Sequence, residues 1–355
     1  MARYAFVVKI VAGVGSLSQA AHAFQVARLR RASHLTLVAH ETTTITGVVT
    51  EFFDRNGPLK DLFSIRVEII TAETTFDFWR HFLQPSDLAL YCDDRGKASL
   101  VFNLSRLLFR KKFALLEDGE LAYSWRQVAE FEPRRSKIRT VIASLLHVNN
   151  SYGANWSSSK IYVTDPQEFL DNQPAALLTE IRAKVVPFPN VLHLLEELGD
   201  SASSFIGDQI DALNEEVRQA LHEDDLSVYF DGGPPSLSPW SNLKSTKNLI
   251  VFPHPSMRTV GRYPTDCVVS DRSCPAEFVI FHLLSTCASF RVYVARSSVK
   301  RYLNQFLNGS NISARIFVYD LIADDLEEQY FSKLHFLHGK RGLVSETSFI
   351  EGDEQ

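Results

Sequence analysis

The chain has 355 residues, of which 45% are hydrophobic and 22% charged, and this composition is ordinary for a globular protein with sizeable cores. With 16 Gly, 14 Pro and 4 Cys, it excludes collagen-like, disordered and disulfide-scaffold classes. The net charge of −5 hides an asymmetry: residues 1–150 carry 20 Lys and Arg against 15 Asp and Glu, and the remainder carries 17 against 27. Length and charge together indicate two domains.

The first 120 residues alternate between apolar runs and helical periodicity. Strands are predicted at residues 4–10, 34–39, 65–71, 87–91 and 113–116. Helices are predicted between them at residues 16–31, 41–53, 74–83 and 97–109. Strands that are apolar on both faces and alternate with helices predict a parallel sheet covered by helices. We therefore expect a Rossmann-like domain over residues 1–155.

The loop after the first strand carries part of a dinucleotide-binding fingerprint. Gly13 and Gly15 are two of its three glycines, and Gln19 and Ala20 stand near the place of the third. The partial match favours a tight strand-to-helix turn over a pyrophosphate site.

Residues 149–160 are rich in Asn and Ser and predict a linker or an exposed loop. A second α/β domain is expected over residues 156–325, with strands at 160–163, 227–230, 248–252, 290–295 and 315–319. Its helices are expected at 191–222, with Gly199 and Gly207 as possible breaks, at 276–288 and at 298–307. Residues 326–355 are expected to add a helix at 326–337 and an acidic tail. The predicted fold class is therefore α/β with two Rossmann-like domains.

The amino terminus has no long apolar stretch followed by a small-residue cleavage site, so no secretory signal is predicted. The most apolar long window, residues 276–295, contains Glu277, His282 and Arg291, which disfavours a membrane span. We expect a cytoplasmic protein.

The four cysteines form no CxxC pair, and a reducing compartment keeps them as thiols. Cys267, Cys274, His282 and Cys287 are an alternative zinc-ligand set, although their spacing matches no known zinc knuckle. Buried structural thiols are the favoured interpretation.

An acidic turn follows the strand at 113–116. Glu117 and Asp118 precede Gly119, which allows a sharp change of chain direction. In open α/β sheets, ligands bind beyond the carboxyl ends of the strands. Asp118 is therefore a candidate general base, its proton affinity raised by the neighbouring Glu117. The alternative is an ordinary acidic turn.

Two further patterns stand at strand ends in the second half. His254 lies between Pro253 and Pro255, which hold it in extended backbone beyond a buried strand. An imidazole there is able to donate a hydrogen bond to a phosphate or to protonate a leaving group. The alternative is a structural loop histidine.

The last pattern concerns helix starts. Glu277 lies just inside a helix that begins near Pro275, where a carboxylate suits the hydroxyl groups of a ribose or simply complements the helix dipole. Ser297 and Ser298 end a strand and begin a helix, as a phosphate site or as plain N-caps. Ser285 and Thr286 rival this pair, and Asp231 followed by two glycines rivals the acidic motif.

The order Glu-Asp-Gly, His-Pro, Pro-x-Glu and Ser-Ser, at 117–119, 254–255, 275–277 and 297–298, resembles the bacterial sialyltransferases of the GT-B fold. That group includes lipooligosaccharide sialyltransferases and capsule polysialyltransferases. The resemblance implies two Rossmann-like domains facing a central cleft. It also implies inverting, metal-independent transfer of sialic acid from CMP-sialic acid to a hydroxyl group of a bacterial surface glycan, without a cofactor.

The resemblance implies a role for each matching residue. Asp118 is the base, and His254, followed by Pro255, binds or protonates the phosphate of CMP as it leaves. Glu277 binds the ribose, and Ser297 and Ser298 bind the phosphate. The alternatives are a GT-B transferase that uses CMP-Kdo or a UDP-sugar, and a non-catalytic α/β binding protein.

Two basic clusters, residues 106–112 and 134–139, lie in the amino-terminal half. They suggest contact with an anionic acceptor glycan or peripheral association with the inner membrane, or they are solvated surface charge. Nucleic-acid binding is not expected, because the net charge is negative and no aromatic-basic platform accompanies the clusters.

Overall fold

The structure is a computed structural model. It describes residues 8–40, 46–54, 59, 65–93, 96–117, 152–153, 155–173, 175, 177–223, 226–230, 248–253, 267–272, 274–294, 299–307, 315–323, 329–338 and 347–348. The chain divides into two compact units, Met1–Asn190 and Val191–Gln355. Each unit is built around a seven-stranded sheet of its own.

The first unit alternates strands and helices as its sequence predicts. Its strands are β1 (Lys9–Val14), β2 (His34–His40), β3 (Arg66–Ala72), β4 (Leu88–Tyr91), β5 (Phe113–Leu116), β6 (Ser158–Val163) and β7 (Val185–Pro187). Its helices are α1 (Leu17–Leu29), α2 (Thr46–Phe53), α3 (Thr75–Phe82), α4 (Gly96–Phe109), α5 (Pro166–Asp171) and α6 (Leu178–Arg182).

The strand order of the first sheet is β3-β2-β1-β4-β5-β6-β7, and every neighbouring pair is parallel. This is the Rossmann order with one strand added at an edge. The order reverses between β1 and β4, which places the switch point of the sheet there. Helices cover the sheet, so β1 and β5 are buried almost throughout.

Aromatic side chains fill much of the first core. The rings of Phe102 on α4 and Phe113 on β5 stack with their centroids 4.3 Å apart. Phe82 at the end of α3 contacts both. Aromatic burial of this kind is a large hydrophobic contribution to folding, and it fixes α3 and α4 against the sheet.

The second unit has the same alternation after a helical entry. Its helices are α7 (Val191–Leu198), α8 (Asp200–Asp211), α9 (Glu215–Ala220), α10 (Ala276–Thr286) and α11 (Val299–Leu307). Its strands are β8 (Leu226–Phe230), β9 (Leu249–Phe252), β10 (Val268–Val269), β11 (Ser289–Val294), β12 (Arg315–Ala323), β13 (Gln329–His338) and β14 (Thr347–Ser348).

The strand order of the second sheet is β10-β9-β8-β11-β12-β13-β14. The first five strands in this order are parallel to their neighbours and repeat the Rossmann arrangement, with the switch point between β8 and β11. The last two pair antiparallel. The expected fold class, α/β with two Rossmann-like units, is confirmed.

The boundary between the units differs from the expected one. It falls after Asn190 rather than after residue 155, because β6 and β7 extend the first sheet. A linker or an exposed loop was predicted at 149–160, yet Tyr152 packs in the first core and Ser158 begins β6. The sequence of a short strand does not show which sheet the strand joins.

Three local predictions were also wrong. Residues 326–337 were expected to be helical, but Gln329–His338 is a strand, since nine of its residues pair with β12. The first strand begins at Lys9 and continues through Gly13, beyond the predicted end. Gly199 does break the helical segment, at a φ of 54°, whereas Gly207 lies inside α8. The acidic tail at 351–355 lies outside the described residues.

Among the described residues, no helix combines the length and the apolar character that a bilayer-spanning segment needs.

Candidate functional site

The switch point of the first sheet is closed by its own side chains. Ser16 caps α1 by accepting a hydrogen bond from the backbone N–H of Gln19, at 3.2 Å. The Gln19 side chain in turn accepts from the backbone N–H of Gly15, at 2.6 Å. This reciprocal arrangement satisfies amide groups that a pyrophosphate would need. The partial fingerprint is therefore a capped turn here, as the sequence favoured.

Gly13 shows why the same turn needs a glycine. A Cβ atom built on Gly13 would lie 2.6 Å from the Phe78 ring and 2.7 Å from the Tyr91 ring. Tyr91 ends β4, and its ring contacts Phe78, Trp79 and Phe102. The glycine thus permits close aromatic packing at the ends of β1 and β4, which fills the crevice beside them.

The carboxyl end of β5 carries the first predicted motif. Glu117 is buried, and its Oε2 accepts hydrogen bonds from both the backbone N–H and the hydroxyl of Thr164, each at 2.7 Å. Tyr152 donates to the carbonyl of Leu116 at 2.5 Å. The bonds from Thr164 anchor the end of β5 to the residue after β6, and the bond from Tyr152 anchors it to the segment before β6. Asp118, the proposed base, lies outside the described residues.

Glu117 therefore has a role that the sequence did not identify. From the sequence it was predicted only as a like-charged neighbour of Asp118, but in the structure it is a buried carboxylate that joins two strand ends. The sequence signal for this role is weak, because only the fold places Thr164 beside Glu117. Glu117 therefore fixes the end of β5 against the residue that follows β6.

The second motif follows β9, a fully buried strand that ends at Phe252. Pro253 comes next and is partly exposed, so the chain leaves the core at this point. His254 and Pro255 lie outside the described residues.

The third motif follows β11, which ends at Val294, and α11 begins at Val299. Ser297 and Ser298 lie between them, outside the described residues. The first turn of α11 has no acidic side chain and carries Lys300 and Arg301, of which Arg301 is buried. A cation at a helix amino terminus is unfavourable unless a negative charge compensates it. Sequence reasoning overlooked these two residues, although their position beside the serines was visible.

Glu277 lies in the first turn of α10 and is partly buried. The pKa of the nearby Cys274 thiol is raised to about 12, first by burial and second by the negative charge of Glu277. Cys274 therefore stays a protonated, unreactive thiol at neutral pH. The carboxylate of Glu277 lies at the start of α10, near the Cys274 thiol.

The parallel topology brings these positions to one edge of the second sheet. The strands β9, β8 and β11 are neighbours, so the ends of β9 and β11 are separated by about 10 Å. Because α10 leads into the parallel strand β11, its first turn also lies at the carboxyl edge. The segments that carry His254, Glu277 and Ser297 thus begin at the same carboxyl edge of the second sheet.

The rival serine pair is excluded by its hydrogen bonds. Ser285 and Thr286 lie at the end of α10, and each hydroxyl donates to the carbonyl four residues earlier, at 2.9 Å. Their helix end is also at the opposite, amino edge of the sheet. The rival Asp231 motif lies outside the described residues.

The zinc alternative is not supported. No group of three or more metal-ligating side chains is found in the described part of the chain, which includes all four proposed ligands. Cys274 precedes α10 and Cys287 follows it, so the helix separates them by about 18 Å. None of the four cysteines forms a disulfide in the described part of the chain.

No protein-family model and no curated protein sequence matches the chain. Among solved structures, it is similar to UDP-GlcNAc 2-epimerase from Neisseria meningitidis bound to UDP-GlcNAc, with 11% identity, a TM-score of 0.41 and coverage of 82% of each chain. It is also similar to TcCGT1 in complex with UDP, with 11% identity, a TM-score of 0.44 and coverage of 89% of this chain and 81% of that one. It is similar as well to the wall teichoic acid polymerase TagF, with 8% identity, a TM-score of 0.41 and coverage of 83% of this chain and 67% of that one. Similarities this distant assign neither a family nor a function.

Proposed function

We propose that the protein is an inverting glycosyltransferase of the GT-B type that transfers sialic acid from CMP-sialic acid to a hydroxyl group of a bacterial surface glycan. The observation that carries the proposal is the placement of the motifs along two Rossmann-like sheets. Each motif directly follows a buried parallel strand, or begins the helix before one, at the carboxyl edge where such sheets bind ligands.

The donor is assigned to the second unit. Ser297 and Ser298 precede α11, whose first-turn amide groups, with Lys300 and Arg301, favour a phosphate. Glu277 binds the ribose hydroxyl groups from the first turn of α10. A residue before proline favours extended backbone, and we assign the imidazole of His254 to the phosphate.

The acceptor side is assigned to the first unit. Asp118 removes the proton of the acceptor hydroxyl, and that oxygen forms a bond to the anomeric carbon of sialic acid. The bond from this carbon to the phosphate oxygen breaks, and the electron pair leaves with CMP. His254 donates a hydrogen bond or its proton to that phosphate oxygen. Positioning, one base and one phosphate donor supply the needed catalysis.

Glu117 supports this assignment through its two hydrogen bonds to Thr164. They fix the chain immediately before Asp118 on a rigid strand end. A catalytic base on such a support keeps its direction, which a base on a long loop does not.

The direct test is incubation of the protein with CMP-sialic acid, with and without acceptors that end in galactose or sialic acid, while CMP release is measured. Asp118→Asn and His254→Ala are each expected to lower transfer by roughly three orders of magnitude or more. Asp171→Asn and His222→Ala are matched controls, because both side chains are exposed in the corresponding units.

Near-normal turnover of Asp118→Asn would contradict the base assignment. Thermal stabilisation by UDP but not by CMP would instead indicate a transferase of another donor. No stabilisation by any nucleotide would indicate a non-catalytic binding protein.

A further inference from the structure

One surface of the first unit combines exposed apolar side chains with basic ones. Seven large hydrophobic side chains are exposed in the described part of the chain, and five of them lie on or beside the second half of α4. These five are Leu104, Leu107, Leu108, Phe109 and Trp156. We call them the α4 patch.

The patch arises because α4 is apolar on two faces. Phe102 and Ala98 pack toward the sheet, whereas Leu104, Leu107 and Leu108 repeat at the helical spacing on the outward face. Leu107 is 68% exposed, Leu108 71% and Phe109 75%. An exposed apolar group of this kind marks an interaction surface.

Trp156 joins the patch through Arg106. The guanidinium group lies over the indole ring, 5.3 Å from its centroid, and donates a hydrogen bond to the carbonyl of Ser157 at 2.9 Å. An aromatic ring with an arginine beside it, next to leucines, is the composition found where proteins enter the headgroup region of a bilayer.

The charge around the patch is positive. From residue 95 to residue 116 the sequence contains six Lys and Arg and no Asp or Glu. Arg110 and Lys112 are exposed directly after α4. Lys111, between them, is turned inward, where it donates to the carbonyls of Phe82 and Gln84.

The topology extends this charge along one edge of the sheet. The end of α4 lies at the amino edge, because it leads into β5. Exposed basic residues stand at the starts of four strands on this edge; they are Lys9, Arg30, Arg31, Arg66, Arg110 and Lys112. The exposed acidic residues Glu51, Asp54, Asp87 and Glu180 lie on the same edge, but they are fewer than the basic ones, and Glu180 pairs with Lys184.

We propose that this amino edge, with the α4 patch inserted among the headgroups, docks on an anionic phospholipid surface. The complementary charge selects the occupant: a second copy of the chain would bring a basic edge against a basic edge. Docking by the amino edge turns the carboxyl edge of the first sheet, where β5 ends, away from the bilayer. Each basic side chain near the surface adds about fivefold to the binding constant.

The test is flotation of the full-length protein with vesicles of phosphatidylcholine alone or mixed with phosphatidylglycerol. Binding is expected to the mixed vesicles and to fall with added salt. Phe109→Ser is expected to weaken it about tenfold. Phe76→Ser is the matched control, because Phe76 is 74% exposed but begins α3 at the carboxyl edge.

A second experiment tests the charge. It compares the vesicle binding of Arg110→Gln/Lys112→Gln with that of Arg218→Gln/Arg272→Gln, a control in the second unit. The first pair is expected to lower binding to mixed vesicles by roughly 25-fold, and the second pair to leave it unchanged. Thermal unfolding of each variant checks that the fold is intact.

Equal loss from the Phe76 and Phe109 variants, or equal binding to neutral vesicles, would overturn the proposal. So would a concentration-dependent dimer that Phe109→Ser abolishes, in the absence of vesicle binding. None of these measurements uses the transferase reaction, so a failure here is distinct from a failure of the proposed function.

Discussion

The two sheets of this protein have the same strand order at their centres, yet the crevices beside their central strands differ. In the first unit, Gly13, Phe78 and Tyr91 pack together, and Gln19 closes the start of α1. In the second unit, α11 follows β11 beside the switch point, and its first turn carries Lys300 and Arg301 and no carboxylate. Shared topology offers a ligand site in both units, but side chains close the start of α1, whereas the start of α11 has cationic side chains that suit an anion.

The net charges of the two units oppose this difference. With the boundary after Asn190, the first unit carries 23 Lys and Arg against 19 Asp and Glu, and the second carries 14 against 23. The acidic unit is the one to which the anionic nucleotide is assigned. Such binding must depend on local amide groups, hydroxyls and α11 rather than on bulk charge.

The largest expected effect concerns the serines before α11. Ser297→Ala/Ser298→Ala is expected to lower transfer by about 10³-fold, because two hydroxyl donors to the phosphate are lost. Ser285→Ala/Thr286→Ala is the matched control, since its hydroxyls already bond to carbonyls within α10. Steady-state assays of CMP release compare the two. An equal loss of transfer activity in the two double variants would contradict the assignment of the phosphate to Ser297 and Ser298.

The stability of the first unit is expected to depend on pH through His22. Burial lowers the pKa of His22 on α1 from 6.5 to about 4, so between these values the unfolded chain binds a proton that the folded unit does not. The contribution is fully present above pH 6.5 and is lost as the pH falls through the window, by up to about 3 kcal/mol. Hydrogen exchange of α1 between pH 4 and pH 7 measures it.

His22→Gln supplies the control for that dependence. The variant has no titratable side chain at this position, so the opening free energy of α1 is expected to change much less between pH 6.5 and pH 4. An unchanged pH dependence would assign it to other groups.

A stability effect of intermediate size is expected at the closed crevice. Gly13→Ala is expected to lower the free energy of unfolding of the first unit by about 2 kcal/mol, because its Cβ meets two aromatic rings. Gly15→Ala is the control, because its Cβ would be 3.5 Å from the nearest atom, Oε1 of Gln19. Denaturant unfolding distinguishes them, and equal stability would mean that the crevice is looser than described.

The smallest expected effect is at the ribose. Glu277→Gln is expected to weaken CMP binding about tenfold, since a hydrogen bond to a charged group contributes about 1.5 kcal/mol or more. The same variant lowers the pKa of Cys274 slightly, because burial remains its larger cause. Calorimetric titration with CMP, and separately with inorganic phosphate, measures the loss of affinity. A loss of the same size for phosphate would place Glu277 away from the ribose.

Much of the fold follows from sequence periodicity. Strands β2, β5, β8 and β9 begin or end within one residue of their predicted positions, because fully buried parallel strands are short apolar runs with clear ends. Helix α10 is likewise bounded by Pro275 and by the start of β11. Local sequence is enough to predict an element whose limits are set by a short buried apolar run or by a helix-terminating residue such as proline.

Other features depend on partners distant in sequence. The strand Gln329–His338 has helix-compatible local sequence and becomes a strand through its pairing with β12. Residues of β7 join the first sheet only through β6. The same reason applies to the site. Asp118, His254 and the serines could be named from their motifs. The hydrogen bond between Glu117 and Thr164 joins residues 47 apart in sequence, so no local pattern predicts it.

The central claim is that the nucleotide binds at the carboxyl edge of the second sheet and not at the first. Hydrogen–deuterium exchange of the full-length protein with saturating CMP tests it most directly. The account predicts slower exchange in peptides that cover residues 253–256 and 295–301, with no change at residues 13–19. Protection at residues 13–19, with none around α11, would contradict it.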